Sequence, residues 1–230
     1  MKTIGIMGGM GPMATVDLMK KIILATPAKT DQEHIPMLVD NAPQIPDRTK
    51  AILGQGESPV PAMVRSARRL EAGGADFIII ACNTAHYFLP EVVPQVKIPV
   101  LSIVETAIAE VIRRGYRKVG LLATIGTIST GLYQKSMEAK AISCITPPPD
   151  KQHLLDDMIY DGVKANDTSY DTAPVRQLLI DMQQTGAEAF ILGCTEVPVA
   201  VAMYNLQGTF IDSTDELAKA AVKLALKCCT

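Results

Sequence analysis

Short apolar runs alternate with amphipathic stretches along the whole chain. Apolar runs of about four to eight residues bounded by turn signals read as strands buried on both faces. Such runs fall at residues 3–7, 36–41, 76–81 and 99–103, then at 118–123, around Cys144, at 189–193 and at 210–212. Helical periodicity fills the gaps. Pro12 opens a helix over 12–26 with Val16, Met19, Ile23 and the Lys20 stem facing inward. A second helix follows Ser58-Pro59, with Met63, Ala67 and Leu70 inward and Arg65, Arg68 and Arg69 outward. Further helices are expected from Thr84 to Pro94, over 105–114 with Gly115 as cap, from the turn at 124–127 to about Ala139, and over 152–165, 173–185 and 215–228.

Strands alternating with helices imply parallel βαβ units with right-handed crossovers. The pattern also repeats. Gly74-Ala75-Asp76-Phe77-Ile78-Ile79-Ile80-Ala81-Cys82-Asn83-Thr84 has a near copy in Gly186-Ala187-Glu188-Ala189-Phe190-Ile191-Leu192-Gly193-Cys194-Thr195-Glu196, 112 residues later. The expected fold class is therefore α/β: two similar small domains, each a four-stranded, mainly parallel sheet flanked by helices. A pseudo-two-fold would relate them, with the active site between. Domain boundaries are expected at residues 1–98 plus 213–230 for the first and 99–212 for the second.

Composition narrows the function classes. The hydrophobic share of 48% with 20% charged residues is that of a globular protein able to bury a core. A net charge of −2 leaves no footprint for nucleic acid or an anionic membrane. The apolar run at the start is too short for a signal peptide, and no window suits a membrane helix. Five cysteines, two of them adjacent at Cys228 and Cys229, are not a disulfide framework, so a reducing cytoplasm is expected.

Two features carry candidate chemistry. Gly9-Met10-Gly11-Pro12-Met13-Ala14 fits the dinucleotide pattern after a strand, which keeps a nicotinamide-dependent oxidoreductase open. The ribose-binding acid belongs about 20 residues further on, whereas the nearest strand-end candidate, Asp40, comes later. The other use of the turn is close approach of the Gly9 and Met10 backbone to a small anionic ligand. The second feature is the cysteines. Cys144, Cys228 and Cys229 read as ordinary small apolar side chains. Cys82 and Cys194 sit instead at equivalent strand-to-helix corners, where backbone N–H groups and a helix N-terminus are expected to lower a thiol's pKa.

These residues resemble a known family. Gly8-Gly9-Met10-Gly11-Pro12, Pro43-Gln44-Ile45-Pro46-Asp47-Arg48-Thr49, Cys82-Asn83-Thr84-Ala85-His86, Leu122-Ala123-Thr124-Ile125-Gly126-Thr127 and Gly193-Cys194-Thr195-Glu196 occur in the order found in cofactor-independent aspartate racemases of the Asp/Glu racemase superfamily. The glutamate racemase pattern has Asp-Ser in the first turn and a histidine after Cys-Thr, where this chain has Gly9-Met10 and Glu196. The resemblance implies interconversion of L- and D-aspartate without pyridoxal phosphate, metal or nucleotide, in a homodimer. A glutamate or broad-specificity racemase is the nearest alternative, and a binding module without turnover is another.

Inverting a stereocentre by proton transfer needs a base on one face of Cα and an acid on the other. The resemblance implies that Cys194 takes the proton from the L-isomer and Cys82 from the D-isomer. Donors for the α-carboxylate would be Asn83, Thr84, Thr124, Thr127 and Thr195, although each threonine also suits a helix cap. Arg48 would grip the side-chain carboxylate with two parallel hydrogen bonds, and its loss would damage turnover more than fold. Lys164 is a second cation for that role. Glu196 would orient a substrate ammonium or tune Cys194. His86, a helical turn beyond Cys82, is expected on a helix surface or interface.

Overall fold

The computed structural model describes residues 1–227, so Cys228 and Cys229 lie outside the described residues. The chain forms two compact units, residues 1–103 with 214–230, and 104–213.

In the first unit β1 (Ile4–Gly8), β2 (Met37–Asn41), β3 (Phe77–Ile80) and β4 (Val100–Leu101) form one sheet in the order β2-β1-β3-β4, every pairing parallel. Register sets Met7 beside Ile80, and Ala81 N–H continues the ladder to the Met7 carbonyl at 3.0 Å. The Gly8-Gly9 turn and Cys82 therefore leave the same sheet edge side by side. This is the point where strand order reverses, the usual ligand position in open parallel sheets. Ile78, Ile80, Met63, Ala67 and Leu70 pack on one face and are fully buried or nearly so. Truncating one of the larger of these side chains to alanine costs about 2–5 kcal/mol.

The second unit repeats the plan. β5 (Lys118–Leu122), β6 (Ser143–Ile145), β7 (Ala189–Leu192) and β8 (Phe210–Asp212) pair in the order β6-β5-β7-β8, again all parallel. Gly193 N–H reaches the Leu122 carbonyl at 2.8 Å, which sets Ala123-Thr124 beside Cys194. Phe190, Leu192, Leu178, Met182 and Met158 make its core.

Several expected details differ. Helix α1 (Pro12–Ala25) turns Ala14, Thr15, Leu18 and Ile22 inward, while Val16 is 58% and Ile23 43% exposed. The apolar spacing fitted either rotation. The Thr15 hydroxyl decides it by accepting the Gly9 N–H at 2.9 Å and donating to the Gly11 carbonyl at 3.0 Å. After α2 (Arg48–Ile52) and α3 (Val60–Ala72), the segment following Cys82 is a 3-10 stretch (Thr84–Phe88), a short α4 (Leu89–Val92) and another 3-10 turn (Val93–Gln95). Pro90 and Pro94 deny that segment the donors of one continuous helix.

β4 is short because the Ile103 N–H goes to the His86 ring, and Ile103 begins α5 (Ile103–Arg114). Since β4 pairs with β3, it belongs to the first unit, and the boundary falls after Ile103 where residue 98 was expected. Where a turn at 124–127 and one helix to about Ala139 were expected, there are two helices, α6 (Ile125–Ser129) and α7 (Leu132–Glu138), divided at Gly131, whose φ of 66° is left-handed. The 152–165 helix is α8 (His153–Asp157) running into a π-helical stretch, Met158–Lys164. Then come α9 (Ala173–Gln184), α10 (Val197–Met203) and α11 (Ser213–Leu226), which returns to the first unit through Lys2 N–H and the Ala225 carbonyl at 3.1 Å. Among the described residues no helix is long and apolar enough to cross a membrane.

Candidate active site

In the first unit the glycine turn is fixed by sterics. Gly9 has φ of 88°, and a Cβ there would lie 2.4 Å from the Ala42 carbonyl carbon and 2.6 Å from the Pro43 nitrogen. Only glycine lets the proline-rich loop come this close. The Gly9 N–H, expected to face an anion, is spent on Thr15.

Arg48 locks loop and turn together. It is 8% exposed, with Nη1 donating to the Ile45 and Pro46 carbonyls at 3.1 and 3.0 Å, and Nη2 to the Met10 carbonyl at 3.0 Å. The role expected of Arg48 is to grip a carboxylate with two parallel hydrogen bonds, and these three backbone bonds add a second role. Both Nη1 protons are turned onto backbone, so Arg48 has a structural load as well as a charge.

Beyond β3, Cys82, Asn83 and Thr84 are all buried. Asn83 makes no side-chain cap to the 3-10 stretch that follows. His86, expected on a helix surface or interface, is buried as well. Its Nδ1 lies 2.9 Å from the Cys82 carbonyl, and its Nε2 accepts the Ile103 N–H at 3.1 Å. An acceptor Nε2 leaves the proton on Nδ1. Burial pushes the imidazole pKa down to about 4, so the ring is neutral.

In the second unit Thr124 and Thr127 are buried, and Thr124 caps α6 by accepting the Thr127 N–H at 3.4 Å. Two residues unmarked by the sequence reading brace this corner. Gln152 donates through Nε2 to the Ala123 carbonyl at 3.0 Å and to Asp156 at 2.9 Å, while Asp156 accepts the Ile125 N–H at 3.0 Å. Their spacing of four on one helix was legible, but the partner strand end was not.

The Cys194 thiol donates to Glu196 Oε2 at 3.1 Å, and the Thr195 hydroxyl reaches the same oxygen at 3.3 Å. All three residues are buried. The Cys194 pKa is raised well above the ordinary thiol value, first by burial and next by the negative charge of Glu196; the Lys164 charge opposes this. The expected lowering by a helix N-terminus does not prevail here. α10 is short and starts only at Val197, whereas the carboxylate touches the sulfur. Lys164 itself is exposed at the end of the π-helical stretch, its Nζ 4.4 Å from the Tyr160 ring centroid. Cys144 is half-buried in β6, with its thiol pushed up to about 11 by burial.

Two like corners, each pairing a strand-end turn with a buried cysteine, define the class of protein. Residues 7–221 match the Asp/Glu/hydantoin racemase family, and the chain belongs to it. It is an amino-acid racemase, an isomerase. Among solved structures it is similar to the aspartate racemase of Picrophilus torridus, 35% identical with a TM-score of 0.87, over 98% of this chain and 94% of that one. It is also 28% identical, over 97% of its length and 98% of the relative's, to a broad-specificity amino-acid racemase of Bacillus subtilis. A glutamate racemase of Corynebacterium glutamicum is 27% identical over 70% of this chain and 60% of its own. Family membership displaces the nicotinamide-dependent alternative. Asp40, the residue that reading needed, is paired with Arg69 at 2.6 Å.

Proposed function

We propose that the chain interconverts L- and D-aspartate with Cys82 and Cys194 as its acid–base pair. The observation that carries this reading is the buried Cys194 thiol held by Glu196 at 3.1 Å. It occupies the strand-order switch point of its sheet, and Cys82 occupies the same point of the other. A pair with Cys194 protonated at rest is set for the D-isomer. Cys82 as thiolate takes the Cα proton, and the Cys194 thiol delivers its own proton to the opposite face. Cys82 ends as thiol and Cys194 as thiolate, the state that accepts the L-isomer, and proton exchange with solvent restores the first state. In that reset Cys82 gives up a proton and the Cys194 thiolate takes one up, and the restored thiol donates again to Glu196.

Negative charge grows on the substrate's α-carboxylate side as the Cα proton leaves. Asn83, Thr84, Thr124, Thr127 and Thr195 supply preorganised donors there. The turn at Gly9 and Met10 admits the substrate close to the main chain. Lys164, whose charge already acts on Cys194, receives a substrate carboxylate, and Arg48 adds positive potential while holding its loop. The likeness to the Picrophilus aspartate racemase supports aspartate; the Bacillus relative supports a second reading, broader amino-acid specificity.

Circular-dichroism time courses on both enantiomers of aspartate, glutamate and several neutral amino acids in heavy water test this. Aspartate should racemise fastest, with product deuterated at Cα. Faster turnover of neutral amino acids would replace aspartate with the broad reading. Product that consistently keeps its original Cα hydrogen would sink the two-thiol scheme.

A further inference from the structure

His86 touches neither sulfur, yet it is buried and engaged through both ring nitrogens. The Nδ1–H reaches the carbonyl of Cys82 itself at 2.9 Å, and Nε2 accepts from Ile103 at 3.1 Å. Ile103 is both the first residue of α5 and the last residue before the chain leaves the first unit. A neutral imidazole thus ties the peptide of Cys82 to the point where the chain crosses over. Only one tautomer satisfies both bonds, because the carbonyl can only accept and the amide can only donate.

We propose that His86 is a positioning residue for Cys82: its Nδ1–H bond to the Cys82 carbonyl fixes the Cys82 peptide, and through it the direction of the thiol, while the Ile103 N–H on Nε2 holds the ring in the tautomer that can donate. This rests on the two-thiol reading above. Proton transfer to carbon tolerates little misplacement, and a shift of about 1 Å costs on the order of a hundredfold.

Two near-isosteric variants separate positioning from space-filling. The His86→Asn amide N–H stands where Nδ1–H stood and keeps the bond to the Cys82 carbonyl. The His86→Gln amide oxygen stands where Nε2 stood and keeps only the Ile103 bond. Three readouts apply to each: thermal melting, the alkylation rate of Cys82 followed by peptide mass spectrometry, and Cα hydrogen exchange compared with inversion from each enantiomer of aspartate.

His86→Gln should lower kcat about ten- to a hundredfold with KM little changed. It should alter Cys82 alkylation but not Cys194 alkylation. From L-aspartate it should favour exchange without inversion, because the thiol that completes inversion is the one displaced. His86→Asn should stay within a few-fold of the parent in all three readouts. Equal losses in both variants, unchanged Cys82 alkylation in a folded His86→Gln protein, or failure of both to fold would overturn the proposal and leave His86 a packing residue. If only His86→Gln fails to fold, His86→Asn decides alone by keeping or losing the parent's Cys82 alkylation and inversion. Cys82→Ser separates the two levels. Racemisation surviving that change defeats the two-thiol reading itself, whereas its loss alongside a parent-like His86→Gln protein defeats the His86 role only.

Discussion

Replacing Glu196 by Gln should make Cys194 more acidic. The thiol donates to the carboxylate at 3.1 Å, and that negative charge is among the causes that raise its pKa. Two unit charges at this distance repel by roughly 5 kcal/mol at an effective dielectric of about 20, and by about 1.3 kcal/mol at the dielectric of bulk water. That repulsion falls on the thiolate alone, so removing the charge should lower the Cys194 pKa. The lost hydrogen bond acts in the same direction, because the carboxylate accepts from the thiol but offers nothing to a thiolate. The amide of the variant can donate to the thiolate instead. Burial of the sulfur remains, so the shift is a partial return toward the ordinary thiol value. Lys164→Met is the opposite control, since the lysine charge favours the thiolate; it should raise the Cys194 pKa. The assay is the pH dependence of iodoacetamide alkylation at Cys194, resolved by peptide mass spectrometry. An unchanged or raised value in Glu196→Gln would refute the assignment of Glu196 as the group that keeps Cys194 protonated.

Cys82→Ser and Cys194→Ser should each lose racemisation in both directions, the double variant being little worse than either single, while Cys144→Ser stays within a few-fold; coupled polarimetry of the four proteins checks this. Arg48→Leu should cost more than about 2 kcal/mol of stability in urea unfolding, because it strips three carbonyls of a charged donor. In the fraction that folds, kcat/KM for aspartate should fall about 30-fold or more; parent-like stability would return the residue to a purely substrate-facing role. His86 sets a pH dependence of stability: burial takes its pKa from 6.5 to about 4, so the unfolded chain binds the extra proton first. This contribution is complete above pH 6.5, declines as pH falls, and is lost below about 4, at a total of roughly 3 kcal/mol. Chemical denaturation across that range should show the decline, and His86→Asn should flatten it.

The strands were legible because buried parallel strands announce themselves as continuous apolar runs. The repeat around Cys82 and Cys194 marked two similar halves, and the two sheets do share one strand order. Helix rotation and continuity were less legible, and for local reasons. Val16 and Ile23 are apolar at helical spacing yet exposed, since one hydroxyl–amide bond from Thr15 to Gly9 turned α1 the other way. Hydrophobic spacing has no access to a bond of that kind. The break in the helix expected to run to about Ala139 depended on Gly131, whose left-handed φ is available to glycine without requiring it. The candidate site divides along the same line. Residue types at strand ends could be read from motifs, but partners distant in sequence could not. Arg48 meets Met10 across 38 positions, and Gln152 meets Ala123 across 29.

The repeat also hid a difference that the chemistry needs. Two thiols in identical surroundings would have equal claims to the single proton that a two-base racemase holds at rest, and the productive pairing would be only one of several states. Here the corners share a backbone plan but differ in what grips the cysteine. At Cys194 a carboxylate bonds the sulfur and favours the thiol. At Cys82 a neutral imidazole bonds the carbonyl and fixes the peptide, not the charge of the sulfur. On the two-thiol reading proposed above, duplication of a βαβ plan supplies the two thiols, and divergence at Glu196 and His86, each within four residues of its cysteine, gives one the resting proton and the other a fixed direction. Exchanging these neighbours between corners should therefore disturb the balance of protonation states long before it disturbs either sheet.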